Sequence, residues 1–133
     1  MKEPTYMPLL NSIAVNESKG EILLKAWADA TPDAELGAAL NFVAIREGEH
    51  AWAFTKRMCE LGHPVCEETA IQFFKNFDEI VAFVKSDASD ADKVARLSGD
   101  RSNDESAPDI FSKFFDDKTI DPVTGGLLGR YIA

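Results

Sequence analysis

The sequence predicts an all-α protein. Three observations carry that reading. Apolar residues recur at spacings of three and four over long stretches, helix start and stop signals bracket those stretches, and no run of strand period stands out. The first stretch is "LLNSIAVNESKGEILLKAWA", residues 9–28, with Leu10, Ile13, Leu24 and Trp27 on one stripe. "ADATPDAEL" then stops the chain and restarts it. Thr31 is placed to cap the next helix, Pro32 fits its first turn, and Asp33 and Glu35 favour its positive end. The second helix is predicted to run to Leu61, where Gly62 ends it and Pro64 prevents its continuation. Two long helices joined by a short loop are antiparallel neighbours, so residues 9–62 form a helical hairpin.

Beyond the hairpin, "ETAIQFFKNFDEIVAFVKSD" is predicted as a third helix with the stripe Phe74, Phe77, Val81 and Val84. A shorter helix is expected around Asp90 to Leu97. "SGDRSNDESAPD" reads as a loop, and "DIFSKFFDD" as one or two helical turns. "IDPVTGGLLGRYIA" reads as a turn followed by an apolar tail. Residues 1–133 are expected to be one domain, with 65–133 a C-terminal helical extension of the hairpin.

A chain of 133 residues is long enough for a real core. Its 23 acidic residues against 14 basic ones give a net charge of −9, which argues against a nucleic-acid partner and favours attraction of cations. No apolar run reaches the roughly 18–20 residues of a membrane span, and "MKEPTYMPLL" has no secretory core. Two cysteines do not make a disulfide framework. The expectation is a cytoplasmic protein with neither membrane nor nucleic acid as partner.

The apolar stripes contain charges that need an explanation. On the second helix Leu36, Leu40, Val43, Glu47, His50, Phe54, Met58 and Leu61 share a face, so Glu47 and His50 stand where leucines are expected. On the first helix Glu17 interrupts the stripe of Leu10, Ile13, Gly20, Leu24 and Trp27. An unpaired buried carboxylate is costly, so these groups need partners. Glu17 and Glu47 each lie about 15 residues from the loop centre, about 22 Å along the axis at 1.5 Å per residue. Glu17, Glu47 and His50 can therefore meet at one level. Glu21, one turn nearer the loop, is a further candidate, and Gly20 leaves space beside Glu17. Carboxylate and imidazole donors suit iron, manganese or zinc. Glu47 and His50 have the Glu-x-x-His spacing of di-iron bundles.

On these residues the chain resembles the ferritin-like superfamily, particularly the rubrerythrins and the encapsulated ferritins. The resemblance spans residues 10–62: Glu17, Gly20 and Ala28 in "NESKGEILLKAWA", and "PDAEL" followed by "REGEHAWAFTKRMCELG". It implies iron held by Glu17, Glu47 and His50, with Glu47 bridging two irons. A complete bundle of this family has two such hairpins, and this chain has one. The resemblance therefore implies a four-helix bundle completed by dimerisation, or by a higher homo-oligomer, with two irons per interface. It also implies ferroxidase or peroxide- and dioxygen-reducing activity. No rubredoxin-like cysteine pairs are present, so turnover would need a separate reductase.

Plainer alternatives remain open at this level. Glu47 and His50 could form a solvated patch. Ser18 and Glu21 could make a capping box that leaves Glu17 outside a shorter helix. The hairpin could be a non-catalytic dimerisation or metal-binding module, with Phe42, Ile45 and Trp52 as its apolar surface. Glu49 is expected to face solvent. Cys59, His63 and Cys66 straddle a turn, either as a zinc site short of a fourth ligand or as plain thiols beside a histidine. Tyr6 and Tyr131 are terminal and point to no role. The tail "TGGLLGRYIA" has a loose likeness to the Gly-Leu peptides that direct cargo into encapsulin shells, unless it packs on its own domain.

Overall fold

Helix α1 spans Met7–Ala30 and α2 spans Ala34–Glu60, and their packing dominates the molecule. This is a computed structural model; it describes residues 4–102 and 117–132, the side chains at 99–102 and 132 excepted. A short 3-10 turn at Glu67–Thr69 follows, then α3 (Phe77–Lys85), α4 (Asp90–Ser102) and α5 (Pro122–Ile132). All regular structure among the described residues is helical. No helix among them is long and apolar enough to cross a membrane.

The hairpin forms for the reasons its sequence announces, with one change at the loop. Asp33, not Thr31, caps α2: its carboxylate accepts from the Glu35 and Leu36 amides at 3.0 and 3.2 Å. Thr31 instead donates to Asp90 at 2.7 Å, and the Trp27 indole donates to the same carboxylate at 2.9 Å. These two bonds hold Asp90 below the ordinary carboxylate range and anchor the start of α4 to the loop. At its other end α2 closes on Gly62, at φ +83°, with bonds from Gly62 N to Cys59 O and from His63 N to Met58 O. A left-handed residue at that position suits glycine and satisfies the last carbonyls.

Two apolar clusters lie along the hairpin. Near the loop, Leu23, Trp27 and Leu40 pack with Ile80 and Val84 of α3. Towards the other end, Met7, Leu10, Ile13, Phe54 and Met58 pack with Tyr6 and with Leu128 of α5. Val43, expected on the buried stripe, is 40% exposed. Ala44, Ala51 and Gly37 are buried instead.

Three expectations for the extension are corrected. Residues 68–76 do not begin a helix; they run mostly without regular structure along α1, and α3 starts only at Phe77, after Asn76 at φ +54°. The reason is a row of buried polar groups on α1. Asn11 bonds both the N–H and the C=O of Cys66, Ser12 accepts from Ile71 N, and Asn16 bonds Ile71 O and Phe73 N. The loop expected over residues 98–109 is helical as far as Ser102, and the remainder lies outside the described residues. The turns expected within 109–117 also lie outside them, apart from Asp117. Finally, the C-terminal stretch is not a loose tail. Asp121 caps α5 by accepting from the Thr124 amide at 3.0 Å, Pro122 takes the first helical position, and Leu128 and Thr124 are fully buried.

Candidate metal centre

Between the two apolar clusters, α1 presents Glu17, Gly20 and Glu21, and α2 presents Glu47, Gly48 and His50. The continuous helix from Met7 to Ala30 places Glu17 well inside α1, and Ser18 is exposed in mid-helix, so the capping-box alternative is wrong. Glu17 is 8% exposed. Its Oε2 is buried without a hydrogen-bond partner and lies 3.8 Å from Nδ1 of His50, too far for a hydrogen bond. A buried carboxylate oxygen left this way costs at least about 1–3 kcal/mol.

Each helix lays a glutamate over a glycine of the other. A Cβ added to Gly20 would stand 2.6 Å from Oε2 of Glu47. One added to Gly48 would stand 1.8 Å from Oε2 of Glu21. The two glycines therefore make room for two carboxylates crossing the seam in opposite directions. Glu47 and His50 are half-buried at this seam, which does not fit a solvated patch, whereas Glu49 is exposed as expected. All four candidates, Glu17, Glu47, His50 and Glu21, come to the same stretch of the hairpin.

Two contributors were not legible beforehand. Gly48 offered a signal, since a mid-helix glycine costs about 1 kcal/mol relative to alanine and so asks for a reason. Tyr131 offered none. Its ring meets the His50 ring edge-on, with centroids 5.2 Å apart at 89°, and meets Phe54 in the same manner at 5.3 Å and 80°. Helix α5 thus closes the seam beside His50. Tyr6 likewise has a role: its hydroxyl donates to Asp121 at 2.6 Å, and Arg57 donates to the same carboxylate at 2.8 Å.

Within one chain, and among the described residues, no three His, Cys, Asp or Glu side chains converge closely enough to hold an ion. That applies to the carboxylate seam and to Cys59, His63 and Cys66 alike, so the zinc alternative gains nothing. The seam nevertheless fits a hard or borderline cation in its chemistry. It offers up to three carboxylates and one imidazole, one oxygen without a donor, and a glycine that leaves room for Glu47. Comparison with family models, with characterised proteins and with solved structures returns no match. What the molecule defines is an all-helical protein with a carboxylate–imidazole seam in a two-helix hairpin.

Proposed function

We propose that this chain is a ferritin-like diiron carboxylate protein whose metal site is shared between two copies. The observation that carries the reading is the buried Glu17 oxygen, which has no donor and lies level with His50 and with Glu47 over Gly20. Glu17, Glu47 and His50 would hold the metal, with Glu21 as a further ligand. Manganese or zinc would suit the same donors. Bound iron would supply one-electron chemistry with dioxygen or peroxide. The chain's own residues do the rest. Glu17 and Glu47 bring carboxylate oxygens into the seam, the glycines leave room for them, and Tyr131 packs edge-on against the His50 ring. A second copy, related by a two-fold axis, would double the donor set to a size that two metal ions need.

A second reading, a non-catalytic dimerisation or metal-binding module, draws support from exposed apolar groups on α2: Phe42 at 65%, Ile45 at 61% and Trp52 at 71%. Elemental analysis of the purified protein together with its solution mass separates the two. The expected result is a dimer with about one iron per chain by the two-per-site arithmetic of diiron bundles. Glu47→Ala should lose the iron and keep the dimer. A metal-free dimer, unchanged in Glu47→Ala, would leave only the module.

A further inference from the structure

A second place in the molecule gathers a different kind of donor. At the end of the hairpin remote from the α1–α2 loop there is a cavity of about 310 Å³. Met7, Met58, His63 and Cys66 all line it, so residues carrying two thioethers, an imidazole and a thiol border one space. The methionines are 2% exposed and sit deep; His63 is half-buried and Cys66 is exposed at the outside.

The outer donors stand on fixed backbone. His63 follows the left-handed Gly62, and its N–H bonds Met58 O at 2.9 Å, which ties it to the helix carrying Met58. Cys66 is clamped on both sides by Asn11, a buried residue of the same cavity: Cys66 N donates to Asn11 Oδ1, and Asn11 Nδ2 donates to Cys66 O, both at 2.8 Å.

We propose that this cavity binds a soft monovalent cation, the cuprous ion, through Cys66, His63 and the thioethers of Met58 and Met7. Thiolate and thioether sulfur are soft donors, and together they suit Cu(I). A structural zinc site takes four Cys, His or carboxylate ligands, and only two of that kind line this cavity. One thiolate matches the single positive charge. The site is separate in place and in chemistry from the carboxylate seam, and it stands whether or not the seam holds iron.

The test is an anaerobic titration of the full chain with cuprous ion against a chromophoric cuprous chelator. One ion per chain should be withheld from the chelator. Cys66→Ser and His63→Ala should each weaken binding at least tenfold, and Cys59→Ser should leave it unchanged. Met58→Leu keeps a similar apolar volume and removes the sulfur; it too should weaken binding, and Met7→Leu applies the same test should Met58→Leu fail to fold. Copper-edge absorption should show a first shell dominated by sulfur, with nitrogen. The proposal is overturned if methionine variants that fold bind as the native chain does, if Cys59→Ser costs as much as Cys66→Ser, or if the first shell lacks thioether sulfur.

Discussion

At Glu17 a carboxylate oxygen is buried without a donor, 3.8 Å from His50, in a helix that could have carried a leucine there. Such a group costs a purely structural core stability and packs no better, so it asks for a partner of the kind the proposed metal would be. The neighbouring glycine gives a clean way to separate stability from binding. Gly20→Ala adds a Cβ that Glu47 Oε2 must vacate, yet that oxygen ends a flexible side chain and can swing aside. Alanine also improves the helix by about 0.5–1 kcal/mol. The melting temperature of Gly20→Ala should therefore hold or rise by a few degrees, while iron retained on dialysis falls at least tenfold by the loss of about 1.4 kcal/mol or more of binding. Unchanged iron content in this variant would count against Glu47 as a ligand. Glu17, Glu47, His50 and Glu21 stand out as candidates in the sequence because charges on an apolar stripe break a known period, and the structure places them on one stretch of the hairpin. Gly48 and Tyr131 do not stand out in this way. A glycine's neighbour, or an aromatic contact from α5 to α2, depends on coordinates that periodicity does not carry.

At the scale of elements, the part of α1 from Leu9 to Glu17 is buried throughout, its polar residues included. α2 covers one side, and residues 66–73 cover another through Asn11, Ser12 and Asn16. Asn16→Ala would strip two bonds from that segment and should cost about 2 kcal/mol in urea unfolding. Hydrogen exchange at Phe73 should rise with it, and a variant as stable as the native chain would show that this segment is not held by Asn16. Helix α5 is held at its start by Asp121. The Tyr6 hydroxyl holds the Asp121 carboxyl well below the ordinary carboxylate range, against the effect of burial, and Thr124 and Arg57 add to it. A carboxyl whose folded pKa is depressed stabilises the fold above its unfolded pKa, about 3.9, and loses that contribution as pH falls further. Proteolysis within α5 should thus stay slow at neutral pH and accelerate below about pH 4, with Asp121→Asn showing the faster rate already at pH 7. The α5 helix was missed because three glycines in "TGGLLG" weaken any local helical preference, and the burial of Leu128 and Thr124 against the hairpin overrides it.

For the molecule as a whole, the two apolar clusters lie on either side of the carboxylate seam, while Phe42, Ile45 and Trp52 stay open to solvent. Large apolar groups gathered on one exposed helix suit a self-association surface. If the proposed dimer forms through this face, Trp52→Glu should shift its solution mass towards the monomer. A dimer that survives both Trp52→Glu and Ile45→Glu would remove this face as the interface. The sequence by itself determined the helical class, the hairpin, its stops at the loop and at Gly62, and that Glu17, Glu47 and His50 lie on one stretch of the hairpin. Each follows from local backbone preference and helical period, which act over a few residues. Only the tertiary structure decided that residues 68–76 lie along α1 without forming a helix, that the C-terminal stretch folds as α5 onto His50 and Phe54, and that Met7, Met58, His63 and Cys66 share one cavity. Those outcomes rest on burial and hydrogen bonding between residues as much as 115 apart in the chain, where sequence spacing carries no information.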